Sequence, residues 1–349
     1  MIMMRRCIIV LLTVIVAGYM CADSNDGYYP STLEGLCGED LLKAVRVVIR
    51  NHDSVMRQYD EDVLWNIFSV TDKRDDGTVW DIFSNSMVGF VADDCVPSGM
   101  VCCHIVPPQW TGDAYPYSND LSLDVHNIFP VDAEVATVKS DLIPWEVDNA
   151  LYDNGVWKMG YGVMLETEIQ AYEPSDEYKG DVARVLMYAA ACYGGEFQWQ
   201  GQSWSLFNDN SYPVFNTTSL AMMLSWCRAD PVDDKERNRN EAIYAVQGNR
   251  NPFVDFPDLC EYIWGELSGV PFRFDDSDDN DGEYLKPSYN IGEKIWLRSR
   301  YVPDDAVWSV NGRDCAGNYI KASDLGVGLH ELKFSTTLVT GKVTIEIKQ

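Results

Sequence analysis

The chain has 349 residues, which is long for one average domain and enough for two. Its 46% hydrophobic content is ordinary for a soluble protein with a sizeable core. The formal charge of −27 repels polyanions at long range, so it excludes a broadly basic surface and leaves room only for a small basic groove.

The first 22 residues have the pattern of a secretory signal. Arg5 and Arg6 precede the apolar run "CIIVLLTVIVAG", and "YMCADS" follows it. The run is too short to favour a membrane span. Cys21 raises the alternative of a lipoprotein, but Met20 stands where such signals need a small residue. We therefore predict simple export, to the medium, the periplasm or the cell surface, with a mature charge of −29 once Arg5 and Arg6 are removed.

Cysteine use is consistent with export. An even number of cysteines follows the signal, and an exported chain can form disulfides. No spaced CxxC pair or Cys/His quartet is present, so disulfides or buried free thiols are favoured over zinc. The positions are Cys37, Cys95, Cys102, Cys103, Cys192, Cys227, Cys260 and Cys315.

Helical periodicity dominates residues 23–270. The segment 38–52 is predicted to be a helix, with one face made of Leu41, Leu42, Val45, Val48 and Ile49. Residues 78–85 are predicted to be a strand and turn, and "VCCHIVPPQW" at 101–110 a buried strand that leads to a proline turn. Further helices are predicted at 178–193, at 219–230, at 233–249 (ended by Gly248) and at 256–267 (opened by Pro257).

The pattern changes after residue 270. Residues 274–283, "FDDSDDNDGE", fail the spacing of an EF-hand calcium loop, so 271–284 is predicted to be an acidic linker. Short alternating segments then fill 285–349, which favours an immunoglobulin-like β-sandwich. The fold class is therefore α+β, a mostly helical domain followed by a small all-β sandwich.

Several segments of the helical domain together resemble one family. "KGDVARVLMYAAACY", "LSWCRADPVDDKERNRNEAIYAVQGNRNPFVDFPDL", "DVHNIFPVDAEV" and "HIVPPQW" look like signature blocks of the endonuclease I family, and the resemblance covers roughly residues 27–266. These are exported nucleases built on the ββα-metal, or His-Me, motif. The resemblance implies a ββα-metal core and cleavage of DNA or RNA.

The resemblance also implies roles for individual residues. His104 matches the general base, since a histidine titrates near neutrality, although by residue type alone it reads as a core histidine. Asn127 matches an amide that binds Mg or Ca, and an Asx-turn or helix cap is the alternative for it. Cys103 stands where the family normally has a metal-binding glutamate, and a thiol is a poor ligand for a hard cation.

Other positions depart from the family pattern. The "VNxxRSN" block reads "VATVKSD", so Ala136 replaces asparagine, Lys139 arginine and Asp141 asparagine. The loop 105–125, where relatives hold the scissile phosphate with a cation, contains neither Lys nor Arg. Lys139, Arg250 and Arg184 remain as candidate phosphate ligands, and for Arg184 a structural ion pair is the alternative.

Three hypotheses follow. The first is an exported, metal-dependent, non-specific nuclease with His104 as base. The second is an inactive pseudo-nuclease that binds an unknown ligand at the cell surface. The third, zinc held by Cys103 with His104 or His126, requires a thiolate in an oxidising compartment and is the least favoured.

Overall fold

The chain folds into two compact units that divide between Arg273 and Phe274. This computed structural model describes residues 27–52, 55–56, 58–90, 96–274, 288–297, 307–315, 319–335 and 340–349. The predicted signal at 1–22, Cys95 and residues 275–284 of the predicted linker lie outside these ranges.

Helices are the main regular structure of the first unit, and α1, α5, α6, α7 and α9 lie in segments predicted to be helical. Helix α1 buries Leu41, Leu42, Val45 and Ile49 of its predicted face, whereas Val48 is half-buried. The helices of this unit are α1 (Gly38–Ile49), α2 (Glu61–Thr71), α3 (Asp120–Leu123), α4 (Ala133–Lys139), α5 (Lys179–Tyr193), α6 (Thr217–Ala229), α7 (Asp234–Gln247), α8 (Pro252–Asp255) and α9 (Leu259–Ile263). Single 3-10 turns lie at Ser31–Leu33, Pro108–Thr111, Val125–Asn127 and Gly201–Ser205.

Helix α5 is the centre of this unit. Every residue from Gly180 to Tyr193 is buried, so the helix has no solvent face. It packs against α1 and α6. A cluster of buried side chains, including Trp65, Phe68 and Ile243, joins α2 and α7, and Met100 of the first strand also belongs to it. Gly248, at φ 84°, ends α7 as predicted, because a left-handed residue there favours glycine.

The described residues of the first unit form two sheets. Strands β1 (Met100–His104) and β2 (Ile128–Asp132) form an antiparallel pair. The second sheet has the order β3-β6-β5-β4, from β3 (Ile143–Pro144), β4 (Asn149–Asp153), β5 (Trp157–Met164) and β6 (Thr167–Pro174). Of the strand and turn predicted at 78–85, the turn is present, where Phe83 N donates to Asp81 Oδ1 at 2.8 Å, whereas the strand is limited to isolated bridges at Thr78 and Val79.

The second unit is built mainly of strands. One sheet has the order β10-β9-β12-β13-β7 and another pairs β11 with β8. Their bounds are β7 (Ser288–Asn290), β8 (Lys294–Trp296), β9 (Val307–Val310), β10 (Arg313–Asp314), β11 (Tyr319–Lys321), β12 (Gly328–Ser335) and β13 (Thr340–Lys348), with α10 at Ala322–Leu325. Ile295, Trp308, Leu332 and Ile345 share one buried cluster. The α+β class is confirmed, and the immunoglobulin-like topology stays a prediction.

The described cysteines are free thiols. They are Cys37, Cys102, Cys103, Cys192, Cys227, Cys260 and Cys315. Of the two states predicted for them, the structure therefore has free thiols. No helix in the described ranges combines the length and the apolar character needed to cross a bilayer.

Candidate active site around His104

His104 is the last residue of the first strand in a strand–strand–helix unit. It lies opposite Ile128 in the antiparallel register, and Cys103 lies opposite Phe129. Helix α4 follows β2 directly and packs against both strands. Pro107 and Pro108 follow His104 closely, and because proline donates no backbone hydrogen they favour the end of the strand. The hairpin and helix expected from the resemblance are therefore present.

The imidazole of His104 is oriented by one hydrogen bond. Its Nε2 lies 2.9 Å from the carbonyl oxygen of Ser122. A carbonyl oxygen only accepts, so Nε2 carries the hydrogen and the lone pair is on Nδ1. The residue is 8% exposed, and burial lowers the pKa of His104 to about 4. At neutral pH the ring is thus an uncharged proton acceptor.

A buried carboxylate fixes the loop that supplies this carbonyl group. Asp124 accepts hydrogen bonds from Tyr188 Oη and Tyr193 Oη (both 2.6 Å), from Gln247 Nε2 (2.7 Å) and from His126 N (2.8 Å). The donors come from α5, α7 and the adjacent turn. Since Asp124 is only two residues from Ser122, these contacts also hold the carbonyl group that orients His104.

Helix α7 supports the same loop from the other side. Arg239 donates to the backbone oxygens of Val125 and Ile128 at 3.0 and 2.8 Å, and its Nε lies 2.7 Å from Asp72 Oδ1. Asn249 donates to Tyr188 Oη at 2.6 Å. The long block that carries the family resemblance therefore contributes scaffold contacts here, rather than a surface of free charges.

Asn127 lies in the same loop, with its carboxamide bound to the backbone. Its Oδ1 accepts from Val106 N at 2.7 Å, and its Nδ2 donates to the carbonyl oxygens of Val106 and Leu121 at 3.0 and 3.2 Å. The side chain is fully buried. These contacts are neither the Asx-turn nor the helix cap given as the alternative from the sequence, and the amide oxygen already has a donor where a metal ion would need it. Metal binding by Asn127 stays a prediction.

Lys139 brings a positive charge to the site. Its side chain is fully buried, and Nζ donates to the carbonyl oxygen of His104 at 3.0 Å. The ammonium group also lies 4.9 Å from the ring centroid of Tyr172. Burial lowers the pKa of Lys139.

The residues at this site do not form the predicted Mg or Ca ligand set. Burial raises the pKa of the Cys103 thiol, which keeps it protonated, and Lys139 places a cation beside it. Ala136 has no donor atom, and Asn127 is bound as above. Within the described ranges no group of three or more His, Cys, Asp or Glu side chains is arranged to hold a metal ion. The residues proposed for zinc are not free to bind it either, because the His126 Nε2 already contacts Asn249 O at 3.3 Å.

The two candidate arginines are bound internally. Arg184 is 2% exposed and contacts both carboxylate oxygens of Glu236, at 2.8 and 2.5 Å. Arg250 binds both oxygens of Asp255, at 2.7 and 3.0 Å, and Glu241 at 2.7 Å. The structure places neither at His104. Their guanidinium hydrogens already bind carboxylates within the protein, which is the structural alternative for Arg184, and a phosphate-binding role for either residue stays a prediction.

Sequence reasoning missed other residues near the imidazole. The rings of Tyr59 and Tyr117 lie 5.7 and 5.4 Å from that of His104. Arg50, at the end of α1, reaches the cation-free loop and binds Asp120 at 2.7 Å. The sequence "YPY" at 115–117 was the available signal for the tyrosines. Nothing in the sequence near Arg50 indicated its contact, because the two partners are 70 positions apart.

Comparison with known proteins agrees with this architecture. The family model described as Endonuclease I matches residues 38–258. The chain is 30% identical over 249 residues to an extracellular ribonuclease of Bacillus subtilis (strain 168), with 69% of this chain and 79% of that protein covered. It is 36% identical over 143 residues to an extracellular ribonuclease of Bacillus amyloliquefaciens, covering 40% and 46%. An extracellular deoxyribonuclease of Aeromonas hydrophila is 28% identical over 144 residues, covering 39% and 51%.

Proposed function

The chain belongs to the endonuclease I family, and on that premise we propose that it is an exported nuclease that cleaves RNA with His104 as the general base. The observation that carries this proposal is the hydrogen bond from His104 Nε2 to Ser122 O, which leaves Nδ1 unprotonated. His104 is the last residue of β1, and 8% of the residue is exposed. A positioned, neutral imidazole is what proton abstraction from a nucleophile requires.

In the proposed reaction a water molecule attacks phosphorus. Its proton passes to His104 Nδ1, a new P–O bond forms, the bond to the leaving ribose oxygen breaks, and that oxygen takes a proton from solvent. The residues of the site supply the base and its orientation. They supply no exposed cation to stabilise the developing charge, since Lys139 Nζ is bound to a backbone oxygen. We therefore expect slow turnover, without sequence preference, because contacts to the backbone do not read bases.

Names of the relatives support the substrate and the location. Two of them, including the one matched over 79% of its length, are named extracellular ribonucleases, and a third is named an extracellular deoxyribonuclease. RNA is thus the first substrate to test and DNA the second. The signal pattern at 1–22 also supports export.

A second candidate is a pseudo-nuclease that serves as a secreted or surface binding module. The specific observation in its favour is Cys103, which stands at the metal-binding glutamate of the family pattern, together with Ala136 in place of an asparagine of that pattern. The internal ion pairs of Arg184 and Arg250 also fit a scaffold without turnover. Its ligand would then have to be sought on either unit of the chain.

The deciding experiment is cleavage of end-labelled RNA and DNA by the purified chain, with and without a chelator of divalent metals. We expect slow RNA cleavage that His104→Gln abolishes and that chelator leaves largely intact. His330→Gln is the matched control, since His330 also bonds a backbone carbonyl oxygen, that of Gly326 at 2.8 Å, but in the second unit. No cleavage by the parent chain would establish the pseudo-nuclease, and unchanged cleavage by His104→Gln would remove His104 as the base. Loss of cleavage with chelator would restore the metal-dependent mechanism.

A further inference from the structure

Three tyrosines form a continuous aromatic cluster with the imidazole of His104. The ring of Tyr59 is tilted by 32° to it, whereas the ring of Tyr117 meets it edge-on at 82°. Tyr59 and Tyr117 are themselves 5.2 Å apart at 80°. Tyr115 extends the cluster outward, 5.6 Å from Tyr117 and 6.3 Å from Tyr59. The four rings therefore lead from the buried base to the surface.

The outermost ring is open to a ligand. Tyr115 is 73% exposed, whereas Tyr59 and Tyr117 are half-buried. The backbone below it is held in place, since Tyr59 N donates to Tyr117 O at 3.3 Å and the Asp113 carboxylate accepts from Ser118 N at 3.0 Å. A large aromatic side chain left in water on a braced loop contributes little to packing. Because Tyr115 contacts the two tyrosines that adjoin His104, a binding role for its ring follows.

We propose that this tyrosine cluster stacks an unpaired nucleobase beside the scissile phosphate, which makes single-stranded RNA the substrate in preference to duplex. The proposal rests on the proposed function and specifies its substrate. Stacking on aromatic side chains is independent of base identity, because every base has a π-face, so it agrees with cleavage that reads no sequence. Bases inside a duplex are already stacked on each other and cannot use the cluster.

Charge favours the same substrate. The loop 105–125 contains no Lys or Arg, and Arg50, which reaches the loop, is neutralised by Asp120 and Glu196. A protein of charge −27 gains little from phosphates and is penalised most by the dense charge of a double helix. Affinity must therefore come from a term other than phosphate neutralisation. Base–aromatic stacking is such a term, and the tyrosine cluster provides it at the reacting position.

The test separates binding from cleavage. The probes are a fluorescein-labelled RNA strand without secondary structure and the same strand annealed to its complement, and the protein is the full chain carrying His104→Gln so that nothing is cut. Fluorescence anisotropy should give clearly tighter binding of the single strand. Tyr115→Leu should weaken it roughly 10-fold, because the ring face is lost, whereas Tyr115→Phe should bind as the parent does.

A matched control is Trp204→Ala, which removes another exposed aromatic ring, 59% exposed, outside the cluster, and should leave single-strand binding unchanged. Equal binding of duplex and single strand, or single-strand binding that Tyr115→Leu leaves intact, would overturn the proposal. Tyr115-dependent binding by a chain that never cleaves would support the stacking site and refute the nuclease. Cleavage of both RNA forms at equal rates, unaffected by Tyr115→Leu, would refute the stacking site and leave the nuclease standing.

Discussion

Lys139 Nζ lies 3.0 Å from the carbonyl oxygen of His104, so a buried cation is joined to the residue that carries the proposed base. After burial itself, this charge is among the causes that lower the pKa of His104. Lys139→Met keeps most of the side-chain volume and removes the charge. We expect the acidic limb of the pH–rate profile to move to higher pH in this variant, because the imidazolium is then less disfavoured.

The control for that shift is Lys235→Met. Lys235 lies 5.7 Å from the ring centroid of Trp80 and is about half exposed, so its loss should leave the profile in place. A profile for Lys139→Met that overlays the parent would mean that the two groups do not interact electrostatically.

The pH–rate profile of the parent chain should have its acidic limb at an unusually low pH. Burial lowers the pKa of His104 to about 4, so the base is unprotonated above that pH and protonated below it. We expect kcat/KM for RNA to stay level from neutral pH down to about pH 5 and to fall as the pH drops through about 4. Initial rates in buffers of constant ionic strength measure this. A limb near the ordinary histidine pKa would show that the ring is more solvated than the structure indicates.

Stability should depend on pH through His126 as well. Burial lowers the pKa of His126 to about 4, so between that value and the ordinary one the unfolded chain binds more protons than the folded one. The contribution is fully present above the ordinary pKa and is lost as the pH falls toward 4. From pH 7 to pH 5, one such histidine should remove about 2 kcal/mol from the free energy of unfolding. Urea titrations at pH 7 and at pH 5 measure this loss for the parent and for His126→Gln. The parent should lose more free energy of unfolding than the variant by about 2 kcal/mol, and equal losses would contradict the assignment.

Asn127→Ala should reduce stability whether or not divalent metal is present. The substitution removes three buried hydrogen bonds to the backbone of Val106 and Leu121 and leaves those groups without their partner. We expect a loss of about 3 kcal/mol in the free energy of unfolding, measured by urea denaturation in chelator. Asn66→Ala, on the exposed face of α2, is the control and should change it by less than about 0.5 kcal/mol. A stable Asn127→Ala variant would return Asn127 to the list of metal-ligand candidates.

Addition of Mg or Ca should not raise the melting temperature of the parent chain, because Cys103 and Ala136 supply no hard ligand. The double variant Cys103→Glu, Ala136→Asn restores a carboxylate and an amide, and Lys139→Met added to it removes the competing charge. We expect the triple variant to gain a metal-dependent rise in melting temperature, since a ligand that binds only the folded state stabilises it. A clear rise in the parent would disprove this reading of the site.

The helices and strands that depend on local sequence pattern could be predicted. The strand that ends at His104 and the helices α1, α5, α6 and α7 follow from apolar periodicity and proline or glycine signals, and the family blocks placed His104 on the hairpin. Helix α9 was predicted to begin at Pro257, but it begins at Leu259, where the boundary depends on the turn at Asp258. Local pattern could not decide these details.

The side-chain contacts could not be predicted from the sequence, because they join residues at distant positions. Arg184 and Glu236 are separated by 52 positions, so an ion pair and a phosphate ligand looked alike in the sequence. The contact of Tyr59 with His104 depends on how α2 packs beside the hairpin, and packing of this kind leaves no periodic signal. The four-stranded sheet of residues 143–174 was missed altogether, although β5 and β6 pair along their full length.

Four donors converge on Asp124, and all of them come from the protein. Where a metal ion organises a catalytic loop, loss of the ion also disturbs the conformation of the loop. Here the buried carboxylate of Asp124 holds the loop through donors of the protein itself. The chain should therefore refold normally in a medium stripped of divalent ions.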